Sequence, residues 1–399
     1  MSGQYIPYGC QWIDEEDIQA VAEVLRSDLI TQGPMIQRFE EALAEFCGAS
    51  YAVAVSSGTA ALHLACLAAG VGPGYEVVTS PNTFVASANC ALYCGAVPRF
   101  VDIDPLTYNL SPGRMEEFLA KTSGPDIPRA VIPVHFAGQP CQMEQIWSTA
   151  RSHSLIVIED ACHALGARWQ DSNGTWQRVG SCSHSDMAVL SFHPVKHITT
   201  GEGGAVLLNN ESLYRDLLDL RTHGITKDTS RMERNDGPWY YEMQSLGYNY
   251  RITDLQCALG LRQLGKVGSW VSRRREIAAL YDEAFSGIQG LLPPFQMHGT
   301  EASFHLYVPQ VAKDLIVFRN EIFDKLHTHG IGTQIHYIPV HFQPYYRQHF
   351  GYSEGDFPMA EEYYRRCFTL PVFPSMKDEE VQRIADIVLQ LVAEYGACG

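Results

Sequence analysis

No apolar run in this 399-residue chain is long enough to span a bilayer as a helix, which excludes a helical membrane anchor. Basic charge is scarce. Lys and Arg number 29 against 45 Asp and Glu, a formal net charge of −16, so a surface built for a nucleic-acid backbone is excluded. The longest basic run, Arg273-Arg274-Arg275, reads at helical spacing as a solvated face. The eleven cysteines lack pair-and-pair metal spacing, since Cys90 and Cys94 have no second pair, and no metal site is expected. Nothing in Met1-Ser2-Gly3-Gln4 looks like a leader. With an odd cysteine count, this leads to the expectation of reduced, core-filling thiols in a cytoplasmic protein. There is no Walker loop, no dinucleotide fingerprint, no internal repeat and no low-complexity tract.

Hydrophobic residues make up 46% of the chain and charged residues 19%, the balance of a folded globular protein. Asp14 is placed to cap a first helix carrying Ile18, Val21, Ala22 and Leu25, with Asp17 at the capping-box position. A turn-rich loop, Leu29 to Pro34, precedes a second helix through Phe39, Leu43 and Phe46 that stops at Gly48. From Tyr51 on, short apolar runs read as buried strands at 52–55, 76–79, 99–102, 130–135, 155–158, 187–190 and 205–208. Helical spacing fills the first four gaps, at 60–69, 84–94, 114–120 and 143–153. That alternation predicts an α/β fold with a mainly parallel, seven-stranded sheet covered on both faces. The step from Leu190 to Ala205 is too short for a crossover helix, so one strand near that edge is expected to run antiparallel. Helix is expected at 213–220, a mobile surface loop at Lys227–Pro238, and one helix from Thr253 past Trp270. Strands at 304–308 and 333–335 with helices at 318–329 and 378–395 suggest a smaller α+β unit. The expected division is a large domain over 15–252 and a small C-terminal domain over 253–399, joined by an N-terminal arm, 1–14.

In open α/β sheets, ligands bind outside the carboxyl ends of the strands, so the residues there carry the functional argument. Ser56-Ser57-Gly58-Thr59 opens a helix at once and offers free amides suited to a phosphate, although an ordinary Ser N-cap fits the same residues. Phe84 is placed to stack on a flat ligand or to fill the core. Asp160 ends an apolar strand, where a carboxylate needs a cationic partner. The segment Ser191-Phe192-His193-Pro194-Val195-Lys196 sets a lysine between apolar strands, where burial favours the neutral, nucleophilic amine. An ordinary hairpin-loop lysine fits that segment alone as well. Together, a phosphate cup, a ring stacker, an acid needing a cation and a nucleophilic lysine describe a pyridoxal 5′-phosphate site. His336, Tyr337 and His341, in an aromatic, histidine-rich strand and loop, either face the substrate or, the commoner role, serve packing.

The motifs Ser57-Gly58-Thr59-Ala60, Glu159-Asp160-Ala161-Cys162-His163-Ala164-Leu165-Gly166, Ser191 to Lys196, Gly201-Glu202-Gly203-Gly204 and Gly247-Tyr248-Asn249-Tyr250-Arg251 resemble the DegT/DnrJ/EryC1/StrS sugar aminotransferases, fold-type-I pyridoxal-phosphate enzymes, over nearly the whole length. The stretches Asp28 to Gly33 and Pro81 to Asn89 are most similar to members that make pseudaminic acid precursors. The resemblance implies a homodimeric transaminase that moves an amino group from L-glutamate to C4 of a nucleotide-linked 4-keto-6-deoxy sugar, with pyridoxamine phosphate as intermediate. It implies that Lys196 carries the cofactor as an aldimine and Asp160 pairs with its ring nitrogen. Ser57, Gly58, Thr59 and Ser191 would hold the phosphate, Phe84 would stack on the ring, and His163 would lie beside it. Asn249 would reach the phosphate of a neighbouring subunit, while Tyr8, Asp28, Leu29, Ile30, Thr31 and Ser57 would border the sugar nucleotide. Members with histidine at the lysine position are dehydratases, so Lys196 implies transamination. A regulator without turnover would need a DNA-binding appendage, which this acidic chain lacks.

Overall fold

The computed structural model describes residues 5–122 and 128–396. Met1 to Gln4, read above for a leader, and Cys398 lie outside them. Two N-terminal helices come first, α1 (Glu15–Leu25) and α2 (Pro34–Cys47). Asp14 caps α1 in a capping box with Asp17, and Gly48 ends α2 in the left-handed region at φ 81°. Then follow β1 (Tyr51–Val55), α3 (Gly58–Ala68), β2 (Glu76–Thr79), α4 (Ala86–Tyr93), β3 (Val97–Phe100), α5 (Pro112–Lys121), β4 (Pro128–Ile132), α6 (Met143–Ser152) and β5 (Ile156–Asp160). A small hairpin, β6 (Arg168–Gln170) and β7 (Trp176–Arg178), precedes β8 (Met187–Ser191), β9 (Gly204–Leu208) and α7 (Glu211–Arg221).

Seven of these strands form one sheet in the order β1-β9-β8-β5-β4-β2-β3. Only β9 runs against its neighbours, pairing antiparallel with both β1 and β8. This is the reversal that the short Leu190–Ala205 step demands. Strands β3 and β4 begin earlier than their apolar runs do, at Val97 and Pro128, because a proline at an edge or at a strand's first residue removes no ladder bond that is needed. The expected continuous helix from Thr253 is two, α8 (Asp254–Leu264) and α9 (Val267–Phe285), interrupted at Gly265 and Lys266. Cys257, Leu264, Val267, Trp270 and Val271 pack into the core under the sheet, whereas from Ile277 onward α9 faces a second core.

Residues 227–238 lie on the surface as expected but are braced. Strands β10 (Ile225–Thr226) and β11 (Glu242–Met243) pair across their ends, and Arg231 bonds Asp219. The C-terminal part adds three two-residue strands, β12 (Leu291–Leu292), β13 (Thr300–Glu301) and β14 (Gln310–Val311), and helices α10 (Arg319–Thr328), α11 (Pro344–Phe350), α12 (Pro358–Arg366) and α13 (Asp378–Gly396). The strands expected at 304–308 and 333–335 are absent. Each segment makes only single bridges, through Tyr307 to Leu370 and Gln334 to Thr369. At 304–308 the reason is Arg274, whose Nη1 donates to the carbonyls of Phe304 and His305 (3.2 and 3.4 Å), groups that a ladder would need. Arg274 is thus no solvated-face residue: it is 1% exposed, while Arg273 and Arg275 on either side reach carboxylates.

Candidate active site

The carboxyl ends of β5 and β8 and the N-termini of α3 and α4 open onto one cavity of about 650 Å³, closed on the other side by residues 334–338. At its floor, Ser57 caps α3 by accepting the Ala60 N–H (3.1 Å). That leaves the Gly58 and Thr59 amides without helical acceptors at the positive end of the helix dipole. The N-cap and phosphate-cup readings of Ser57 are therefore compatible. Gly58 must be glycine because a Cβ there would stand 2.8 Å from the Ser191 Cβ. A Cβ on Gly204 would similarly meet the Ser57 carbonyl at 2.6 Å. Close backbone approach thus brings the α3 turn and the end of β8 together as one anion cradle.

Lys196 stands on the cavity wall. It is half-buried rather than sealed in the core, and burial lowers its pKa against the opposing pull of Cys162 and Asp160. Asp160, at the end of β5, is buried. Its Oδ2 accepts the Ser87 hydroxyl at 2.6 Å and its Oδ1 the Cys162 amide at 3.1 Å. Among the described residues no cationic group is bonded to it, and, lining the cavity, it keeps acceptor capacity for a ligand cation. Phe84 lines the cavity two residues before α4 begins and is 56% exposed, which excludes the core-filling alternative.

His163 lies beneath this group. Its Nε2 is 3.1 Å from the Tyr337 hydroxyl, its Nδ1 is buried without a partner, and its ring centroid is 4.4 Å from that of His305. Burial, then the Lys196 charge, holds His163 and His305 well below the usual histidine range. His336 is pushed down to about 3 for the same reasons. The wall near the amine is therefore neutral imidazole at pH 7.

Of the residues singled out in the sequence, Tyr8, Ser57, Gly58, Thr59, Phe84, Asp160, His163, Ser191 and Lys196 share this cavity. Asp28, Leu29, Ile30 and Thr31 do not; they are exposed on a separate loop. Asn249 is also exposed, bridged to Thr222, and away from this chain's cavity. The sequence reading missed Ser87 and left His336 and Tyr337 between facing the substrate and packing; all three line the cavity. His341, by contrast, is buried against Glu361 as packing (3.1 Å). Ser87 had one signal, its place a single helical turn after Phe84. The other two had none, because 334–338 is held by isolated contacts rather than by an element with a readable period.

Amides for a phosphate, an exposed ring, a buried carboxylate and a half-buried amine of lowered pKa form a donor set that fits pyridoxal phosphate. No group of His, Cys, Asp or Glu among the described residues is arranged to hold a metal ion, and no described helix is long and apolar enough to cross a membrane.

A family model described as the DegT/DnrJ/EryC1/StrS aminotransferase family matches residues 11–389. The spore coat polysaccharide biosynthesis protein SpsC of Bacillus subtilis is 42% identical over 390 residues, 97% of each chain. The UDP-4-amino-4,6-dideoxy-N-acetyl-beta-L-altrosamine transaminase of Campylobacter jejuni is 35% identical over 396 residues, 99% of this chain and 100% of the relative. The likeness to pseudaminic-acid enzymes is thus weaker over the whole chain than the likeness to SpsC. Among solved structures, Helicobacter pylori PseC, an aminotransferase of pseudaminic acid biosynthesis, superposes with a TM-score of 0.89 at 31% identity, covering 98% of this chain and 100% of its own. The PLP-form of the putative sugar aminotransferase Spr1654 from Streptococcus pneumoniae gives 0.89 at 29%, covering 98% and 99%.

Proposed function

This chain belongs to the DegT/DnrJ/EryC1/StrS aminotransferase family, and from that premise we propose that Lys196 and Asp160 run the transfer of an amino group from L-glutamate to C4 of a nucleotide-linked 4-keto-6-deoxy sugar. The chain is a pyridoxal-phosphate-dependent aminotransferase of the sugar-nucleotide class with the fold-type-I architecture. The observation that carries the residue assignment is the placing of Lys196 and Asp160 on one cavity, the amine biased toward its neutral form and the acid already fixed by Ser87.

When bound, pyridoxal phosphate supplies an electrophilic carbon for amine capture and a cationic ring that draws electrons from the substrate's α-carbon. Lys196 Nζ would be the nucleophile that holds the cofactor's aldehyde, and as a neutral amine it would be the base placed to take up or return a proton at the substrate's α-carbon. Asp160 would be the group that holds a proton on the cofactor's ring nitrogen. The Gly58 and Thr59 amides with the Ser57 and Ser191 hydroxyls would bind the phosphate, Phe84 would offer its ring for stacking, and His163, bonded to Tyr337, would line the site beside it. L-Glutamate enters and 2-oxoglutarate leaves before the keto sugar binds.

The proposed acceptor is UDP-2-acetamido-2,6-dideoxy-β-L-arabino-hexos-4-ulose, supported by the Campylobacter relative and PseC. A different 4-keto sugar, such as a perosamine or bacillosamine precursor, is the second reading, favoured by the greater identity to SpsC. Purified protein given glutamate and a panel of 4-keto sugar nucleotides, with products identified by NMR, separates the two. Aminated product from none of them would sink both.

The proposed working unit is a homodimer. No arginine lines this chain's cavity among the described residues, although the substrates bring carboxylates and a diphosphate. Asn249 is exposed elsewhere, and Ile18, Leu25, Leu29 and Ile30 turn an apolar strip outward (54, 61, 51 and 49% exposed). A second copy covering that strip would carry its Asn249 to this site and seat Asp28 to Thr31 by the sugar nucleotide. Mixing inactive Lys196→Ala with inactive Asn249→Ala protein should restore part of the activity, because one of the two sites in a mixed dimer is then intact. Mixtures that stay inactive would refute the sharing. The large domain 15–252 and the small domain 253–399 with its arm 1–14 are proposed as the two bodies between which the substrate sits.

A further inference from the structure

We propose that Cys66 and Cys94 form a redox-sensitive dithiol, a modification site that a peroxide closes into a disulfide between the last turn of α3 and the end of α4. Both cysteines belong to one buried cluster on the α3 and α4 side of the sheet. His63 and Cys66 stand one turn apart on α3, and Cys90 and Cys94 one turn apart on α4 and its C-cap, so each pair shares a helix face. These faces meet. The Cys66 thiol lies within hydrogen-bonding reach of the Cys90 and Cys94 sulfurs, and Cys94 also within reach of His63. Ala65 and Ala91, both fully buried, belong to the same cluster, and side chains that small let two helices approach to the range a disulfide needs.

The two possible partners of Cys66 differ in freedom. Cys90 is 0% exposed and its Sγ donates to the Ser87 carbonyl of its own helix at 3.3 Å. Cys94 caps α4, is 9% exposed, and is followed by Gly95 in the left-handed region at φ 77°. It can therefore meet a small oxidant, and no further helical turn holds it in place. His63 completes the cluster. Its Nδ1 is 3.2 Å from the Tyr250 hydroxyl, and its Nε2 is buried without a hydrogen-bond partner, a free ring nitrogen among the thiols.

The two sulfurs have opposite chemical character. Cys66 first, and His63 after it, draw Cys94 below the ordinary thiol range, while Cys90, Cys94 and burial hold Cys66 well above it. Cys94 is thus the attacking sulfur and Cys66 the thiol that resolves it. Cys10 and Cys162 are more open, but burial raises both. The Cys94 sulfur attacks one oxygen of hydrogen peroxide; the O–O bond breaks, and the departing hydroxide takes up the proton that Cys94 gave and leaves as water. The Cys66 sulfur then displaces hydroxide from the Cys94 sulfenic acid and gives it the Cys66 proton, so the S–S bond forms and a second water leaves. Two thiols lose two electrons and the peroxide gains them.

Holoenzyme treated with equimolar hydrogen peroxide, alkylated and digested without reductant tests this. Peptide mapping should show Cys66 linked to Cys94, with the intact mass lowered by about 2 Da, two hydrogens, and dithiothreitol should reverse both. Cys66 linked to Cys90 instead, Cys94 carried to sulfinic acid without a link, or no link at all overturns the proposal. In a Cys94→Ser variant under the same treatment, Cys66 should remain a free thiol; its oxidation there at the wild-type rate overturns the assignment of Cys94 as the attacking sulfur. If the variant does not fold, the wild-type map still decides. Because the readout is mass, the result is independent of which sugar is the acceptor.

Discussion

At the scale of single residues, the site works through two groups with different needs. Lys196 must give up its proton easily, and burial pushes it that way. Asp160 must be held in place at the end of β5, and the Ser87 hydroxyl and Cys162 amide each fix one of its oxygens. Lys196→Ala should therefore abolish turnover, a loss of at least about 10²–10⁴ in kcat; ordinary multiple-turnover transamination by that variant would refute the assignment. Ser87→Ala is the finer probe. A hydrogen bond to a charged group contributes about 1.5–3 kcal/mol, so kcat should fall by at least about tenfold with the cofactor still bound. A wild-type kcat and pH profile would mean that the Ser87 contact only packs α4. In the protein freed of cofactor, Lys196 has a second consequence. Its folded pKa lies below the ordinary lysine value of 10.5, so the unfolded chain holds more protons between the two values. Stability should rise with pH through that window, and Lys196→Met should flatten the rise in denaturant titrations.

At the scale of elements, what was legible in the sequence follows from periodicity. Strands β1, β2, β5, β8 and β9 each hold a short apolar run buried on both faces, and helix signals such as the Asp14 box and Gly48 act within one turn. Their strand ends could therefore be found, and with them Gly58, Asp160, Ser191 and Lys196. The remainder depended on distant contacts. The 304–308 and 334–338 segments have apolar, aromatic sequences like strands, yet Arg274 and residues 367–370 hold their backbones in single bridges. That is why the sequence left Tyr337 and His336 between facing the substrate and packing. The α3 turn yields its own prediction. Gly58→Ala places a methyl 2.8 Å from the Ser191 side chain, an overpacking that costs about 1–3 kcal/mol and forces β8 away from the helix N-terminus. The Kd for pyridoxal phosphate should rise by about tenfold or more while the circular dichroism of the chain is kept. An unchanged Kd would show that the phosphate is held elsewhere.

At the scale of the molecule, the site has collected histidines that the fold keeps neutral. His163, His197, His305 and His336 are all buried. Burial is the first cause in each of lowering their pKa, with the Lys196 charge contributing to all four. Their folded pKa values lie below the ordinary 6.5, so the unfolded chain binds more protons as pH falls through 6.5. Stability is then lost on acidification and is fully present above that value. Each such group contributes about 1.4 kcal/mol per pH unit below its unfolded pKa, so four together steepen acid unfolding severely. His135 lies outside this group: its Nδ1 accepts the Cys141 amide at 2.9 Å and its Nε2 is bonded to Glu159 at 2.8 Å. The four imidazoles sit where the large-sheet residues meet 303–305 and 334–338, so their protonation should open the active site before the sheet unfolds. Urea titrations of the cofactor-free protein from pH 6.5 down to 5 should show this slope, and His305→Gln should reduce proton uptake on unfolding by about one. If the His305→Gln curve merely lies parallel to that of the wild type, the imidazole cluster is not what makes the fold acid-labile.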